Sequence, residues 1–111
     1  MTQKTLQIAE IPYPSGEIEC RYAFILSPDG TKRIRHGLFV RYHLDGRMAS
    51  EGTYVNGAED GEWRDYHANG QLAATGVYVN GKEEGVWRSW DEEGRSEGDI
   101  LYQGGVEQVP G

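Results

Sequence analysis

Short runs of aromatic and aliphatic residues alternate with glycine-containing polar turns along most of the chain. No stretch places apolar residues three or four positions apart over several turns, so the pattern predicts almost no α-helix. Aromatic residues in short runs that are bounded by glycine are typical of β-strands. The pattern therefore predicts an all-β protein.

The runs recur with a period of 24 residues, in three copies that begin at Gly37, Gly61 and Gly85. The first two copies are identical at 11 of 24 positions without a gap, and the second and third share 7. A fixed period of this length is the signature of a repeat architecture. We therefore divide one continuous domain into residues 37–60, 61–84 and 85–108, preceded by a diverged N-terminal hairpin or cap at residues 1–36.

Each copy has the pattern strand, turn, strand, turn. Asp-Gly and Asn-Gly dipeptides favour tight hairpins because both residues adopt positive φ at low cost. The repeated structural positions are the third residue (Phe39, Trp63 and Trp87), a tyrosine near the end of the second strand (Tyr54, Tyr78 and Tyr102), and the turn glycines (Gly46, Gly70, Gly57 and Gly81). Two turns per copy predict two antiparallel strands per copy and a meander through the array.

The N-terminal segment predicts further strands at residues 5–11, 17–26 and 31–35. Together with the array they make a single-layer, twisted antiparallel sheet of eight or nine strands. Gly52 and Gly76 lie inside strands, and we interpret them as packing positions beneath an aromatic ring. The third copy has Ile100 at this position and a glycine two residues earlier, which predicts a bulge or a capping hairpin at the C-terminal end.

The net charge of the chain limits the classes of partner that we expect it to bind. The chain has 18 acidic and 11 basic residues, for a net charge of -7. This balance disfavours nucleic acid and anionic membranes as partners and favours a basic protein. The single cysteine, Cys20, fits a reducing compartment, and the first residues predict no signal peptide, so we expect a cytoplasmic protein.

Two groups of side chains are candidates for partner binding. The sixth residue of each copy differs in parity from the third, so its ring projects from the opposite face of the sheet. On that face the guanidinium groups of Arg64 and Arg88 are placed to stack on neighbouring rings. The candidate residues are Tyr42, Tyr66, Trp90, Arg64 and Arg88 on this face, and the acidic residues Glu59, Asp60, Glu83 and Glu84 at the strand ends. The acidic residues form either a rim that attracts a cationic partner or solvated loop tips.

No spacing of residues in the sequence indicates a metal site or a catalytic site. His43 and His67 occupy equivalent positions, but neither they nor Cys20 and His36 have the ligand spacing of a zinc site. No glycine-rich loop precedes a helix, and no pair of carboxylates is placed in a pocket. We therefore predict no metal, no cofactor and no enzymatic activity.

The spacing of glycine and aromatic residues resembles the MORN (membrane occupation and recognition nexus) repeat, in the short bacterial variant of MORN-like antitoxin and immunity proteins. The resemblance covers residues 37 to about 105. The matching residues are Gly37, Phe39, Tyr42, Gly46, Gly52, Tyr54, Asn56 and Gly57 in the first copy; Gly61, Trp63, Tyr66, Asn69, Gly70, Gly76, Tyr78, Asn80 and Gly81 in the second; and Gly85, Trp87 and Trp90 in the third.

The resemblance implies a non-enzymatic curved sheet that presents one face to a protein, in bacterial relatives often a toxin. We expect an immunity protein or antitoxin that covers the active site of a basic toxin with an acidic, aromatic-lined face. One alternative is a MORN-type membrane or lipid adaptor, which the net charge disfavours. Another is a scaffold or homo-oligomer that pairs through its sheet edges.

Overall fold

The computed structural model describes residues 5–109. Within this range it contains β-strands and turns and no helix. This confirms the predicted all-β meander of hairpins. Residues 1–4 of the predicted N-terminal unit lie outside the described range.

The ten strands pair to form one open sheet. Their bounds are β1 Gln7–Pro12, β2 Ile18–Leu26, β3 Arg33–Tyr42, β4 Met48–Val55, β5 Ala58–Glu59, β6 Gly61–Tyr66, β7 Leu72–Val79, β8 Lys82–Trp90, β9 Ser96–Gln103 and β10 Val106–Glu107. The spatial order is β1-β2-β3-β4-β6-β7-β8-β9-β10, with β5 paired to β4, and every pairing is antiparallel. The overall dimensions of 49 × 38 × 19 Å are those of a single twisted layer.

The Asn-Gly turns explain why the chain reverses after each second strand. Asn56 and Asn80 have φ of 49° and 51°, and the glycines that follow them have φ of 88° and 81°. Two successive residues at positive φ match the right-handed twist of the flanking strands. The sequence thus sets these hairpins locally.

The N-terminal segment differs from its prediction in one respect. The expected third strand at residues 31–35 is not separate, because β3 continues from Arg33 through Gly37 into the first copy. Gly37 keeps its place in the ladder opposite Tyr54 at a φ of 106°, while the register against β2 shifts between Tyr22 and Phe24. The glycine is therefore a local irregularity within a strand and not the end of one.

Aromatic rings hold successive copies together on one face of the sheet, which we call the ladder face. Trp63 stacks on Phe39 at 5.6 Å and 29°, and it meets Tyr54 and Tyr78 edge-on at 5.5 and 5.7 Å. Tyr78 continues the contact to Trp87 at 5.0 Å. The core cluster on this face comprises Phe39, Trp63 and the N-terminal residues Ala9, Cys20, Tyr22 and Phe24, and the partly buried rings of Tyr54, Tyr78 and Trp87 pack against it.

Gly52 and Gly76 are packing positions beneath the rings. A Cβ atom built at Gly52 overlaps the Trp63 ring, and one built at Gly76 overlaps the Trp87 ring. Each tryptophan therefore lies flat on the backbone of the preceding copy. The third copy has no following ring, and Ile100 occupies the corresponding position with 38% of its surface exposed.

The sequence predicted a bulge or a capping hairpin at the C-terminal end, and the structure has a bulge in every copy, the third included. The register shifts between Arg41 and Tyr42, between Asp65 and Tyr66, and between Ser89 and Trp90. A bulge re-aims the side chains next to it and increases the local twist. The end of the array is formed by the short β9–β10 pair.

Candidate partner-binding surfaces

A row of mostly charged side chains crosses the face opposite the ladder face, which we call the charged face. Strand register places one residue of this row on each of eight strands. Six of them are charged, namely Glu10, Arg21, Glu51, Arg64, Arg88 and Asp99, and the other two are Val40, which is buried, and Thr75. Ion pairs join Arg21 to Glu10 at 2.5 Å and Arg88 to Asp99 at 3.6 Å. Both ion pairs are solvent-accessible, so each contributes about 1 kcal/mol or less.

The predicted rings and arginines lie together on the charged face, but their contacts differ from the expected stacking. Arg64 forms ion pairs with Glu51, at 3.6 Å, and with Glu62. The Tyr66 hydroxyl donates a hydrogen bond to Glu51 Oε1 at 2.9 Å. Arg64 is therefore held by carboxylates and not by the face of the tyrosine ring. Its pKa is raised, chiefly by the negative charge of Glu62.

Two shallow grooves run beside the charged row. Their volumes are about 260 and 310 Å³. Glu62 lies between them and contributes to both, and exposed aliphatic side chains form their other walls, namely Leu38, Val77 and Val86. The charged face thus offers apolar contacts flanked by paired charges.

Two of the four acidic candidates connect neighbouring turns. Asp60 Oδ1 accepts a hydrogen bond from the Asn80 amide at 3.4 Å, and Glu84 Oε2 accepts one from the Gly104 amide at 2.8 Å. One repeat earlier, His36 Nδ1 accepts the Asn56 amide at 3.0 Å. The residue immediately before each copy therefore supplies an acceptor for the second turn of that copy.

The other two acidic candidates lie on the ladder face beside tyrosine rings. Register pairs Glu59 with Tyr54 and Glu83 with Tyr78. Burial raises the pKa of Tyr78, and the negative charges of Glu83, Glu59 and Asp65 raise it further. The nine predicted partner-binding residues are therefore divided between two faces and a row of turns, and they do not form one site.

Histidines connect the turns at the opposite ends of the strands. His43 Nε2 lies 2.9 Å from the Tyr66 carbonyl oxygen, and His67 Nε2 lies 2.7 Å from that of Trp90. Since a carbonyl only accepts, each ring nitrogen donates. Sequence reasoning did not identify these hydrogen bonds, although the exact 24-residue separation of the two histidines is the signal of a repeated contact. Across residues 5–109, no three His, Cys, Asp or Glu side chains converge as a metal site would require.

Sequence reasoning also missed the arginines of the ladder face. The Arg35 guanidinium lies 4.9 Å from the Tyr22 ring centroid and 5.4 Å from those of Phe39 and Tyr54. It donates to the Tyr54 hydroxyl at 3.3 Å. Arg33 lies 4.8 Å from the Phe24 centroid. Neither arginine forms an ion pair with a described residue, so the rings are the principal partners of both cations.

Cys20 belongs to the core near these arginines. It is 6% exposed, and burial raises the pKa of its thiol although the positive charges of Arg35 and Arg41 act in the opposite direction. A buried thiol of raised pKa is a poor nucleophile. We therefore assign Cys20 to packing.

Comparison with known proteins supports the repeat architecture. The family model described as MORN repeat variant matches residues 35–56 and 59–80. Searches of curated proteins and of solved structures gave no significant match. The described residues contain no helix long and apolar enough to cross a membrane. The chain thus contains two adjacent repeats that match the MORN repeat variant.

Proposed function

We propose that this protein is a non-enzymatic binding module for a basic protein, and specifically an immunity protein or antitoxin that covers the working surface of a toxin. The observation that carries the proposal is the charge of the repeat array. Residues 37–108 contain 14 acidic and six basic residues, spread over an open sheet. Such a surface attracts a cationic partner and speeds its association.

The single-layer fold supports this role. The sheet is a single open layer, and the two grooves described on its charged face are shallow. Aromatic and arginine side chains, which dominate the energetics of protein interfaces, recur at fixed intervals along it. A partner that spans several copies would meet the same contacts repeatedly, so modest local affinities would add.

The test is titration of the purified protein against the product of a toxin-like gene adjacent to its own. We expect saturable binding that weakens steeply between low and high salt, and rescue of cells that express the toxin. An unrelated basic protein of similar size is the control for non-specific attraction. Absence of both binding and rescue would refute the proposal.

A further inference from the structure

The position that Arg35 occupies, two residues before the first copy, recurs two residues before the second and third copies. The backbone carbonyl of Arg35 accepts a hydrogen bond from the Gly57 amide, that of Glu59 accepts from Gly81, and that of Glu83 accepts from Gly105. The three residues are 24 positions apart and have the same backbone contact. They are therefore structurally equivalent, but the first is a cation and the other two are anions.

At the first of these positions a guanidinium group of the chain itself lies beside the aromatic rings. The Arg35 guanidinium lies against Phe39 and Tyr54, the third-position ring and the tyrosine of the first copy. The same pair of rings recurs as Trp63 with Tyr78 and as Trp87 with Tyr102, in contact at 5.7 and 6.5 Å. In the second and third copies a carboxylate, and no guanidinium, stands beside the rings.

Neither Glu59 nor Glu83 forms an ion pair with another described residue. Both are partly accessible, as are the rings of Tyr78, Trp87 and Tyr102. A ring that binds a guanidinium by cation–π attraction binds it more strongly when a carboxylate is also in reach. Each of these two positions thus offers the kind of aromatic contact that Arg35 makes, together with a carboxylate. Arg35 itself has no ion-pair partner among the described residues.

We infer that the ladder face of the second and third copies binds lysine or arginine side chains of a partner protein, one at Glu59 and one at Glu83. The inference deepens the proposed function and rests on it, because it states how a basic partner is held. Equivalent positions are two strands apart, or about 10 Å. The partner therefore presents two cationic side chains at about that spacing on one side of an extended or helical segment.

A polyproline II peptide provides a probe with this spacing, since it repeats every three residues and about 9 Å. The probe is the heptapeptide Arg-Pro-Pro-Arg-Pro-Pro-Arg, and its control has glutamine in place of each arginine. Titration at 0.15 M salt is followed by nuclear magnetic resonance of the tryptophan indole N–H groups and the backbone amides. We expect changes in chemical shift at Trp87, Tyr78 and Glu83 with the arginine peptide and none with the glutamine control.

The decisive variant is Glu59→Arg/Glu83→Arg, which copies the arrangement of the first repeat. Because Arg35 already fits this position, the variant should fold, and circular dichroism checks that it does. We expect its affinity for the arginine peptide to fall about tenfold or more. The matched control is Glu92→Arg/Glu97→Arg, which changes net charge equally at two exposed residues of the third copy.

Equal weakening by both variants, or shifts confined to the charged face, would overturn the inference in favour of diffuse attraction. The toxin titration separates the two proposals. If the toxin binds and Glu59→Arg/Glu83→Arg leaves its affinity unchanged, the proposed function stands and this inference fails. If the peptide binds as expected and no toxin does, the cation sites stand without the proposed partner.

Discussion

Replacing Gly52 with alanine tests whether the rings and the glycines beneath them hold the repeats together. The added Cβ atom overlaps the Trp63 ring, so the ring must move or the strands must separate. Trp63 is only 9% exposed, and it contacts Phe39, Tyr54 and Tyr78. Its indole N–H also donates to the Thr53 carbonyl at 3.3 Å. A displaced ring would weaken all of these contacts together.

The magnitude follows from two opposing effects. Insertion of a methyl group into a packed site costs about 1–3 kcal/mol, and complete loss of a buried tryptophan costs about 3–5 kcal/mol. Alanine in a strand recovers about 0.5–1 kcal/mol relative to glycine, and Gly52 does not need positive φ. We expect Gly52→Ala to lower the free energy of unfolding by about 2 kcal/mol.

Urea unfolding followed by circular dichroism measures this change, and a double-mutant cycle identifies its cause. In a Trp63→Leu background the ring is absent, so Gly52→Ala should be neutral or slightly stabilising. The equivalent position of the third copy already carries a side chain, Ile100, and has no ring of a following copy above it, so Ile100→Ala should relieve no overlap. An equal cost of Gly52→Ala in both backgrounds would refute the packing explanation, as would no cost in the natural sequence.

Three further predictions address other parts of the molecule. Glu84→Ala should lower stability by about 1 kcal/mol and speed hydrogen exchange of the Gly104 amide, whereas Glu84→Gln keeps an acceptor and should do neither. The Cys20 thiol should react with a disulfide reagent at pH 8 far more slowly in the folded protein than in urea, because burial raises its pKa and blocks access; equal rates would place it at the surface. Asp29 accepts hydrogen bonds from Ser27 and Thr31, which lower its pKa to about 2. Because the folded pKa is depressed, this stabilisation is present above about pH 4 and is lost as the pH falls towards 2, and carboxyl resonance titration with Asp29→Asn as control checks it.

The ladder face was largely predictable, and the partner surface was not. Positions that must be aromatic or glycine for the copies to stack recur in the sequence at fixed spacing, so Trp63 and Gly52 stand out without a structure. Asp60 and Glu84 are equally regular in sequence, yet their side chains bond the next turn. Regular spacing marks both kinds of residue alike, because a repeated structural contact and a repeated binding contact have the same period.

The sequence by itself determined the local structure: Asn56-Gly57 and Asn80-Gly81 turns at positive φ, strands between the turns, and a 24-residue period that sets the order of the hairpins. In Asp45-Gly46 and Asn69-Gly70 only the glycine has positive φ, contrary to the expectation for both residues. Only the tertiary structure decided which charges are paired and which remain open. Arg64 is held by Glu51 from a neighbouring strand, whereas Glu59 and Glu83 stand beside rings without an ion-pair partner among the described residues. Backbone conformation depends on residues close in sequence, but pairing between charges depends on strand register across the sheet, which brings together residues that are distant along the chain.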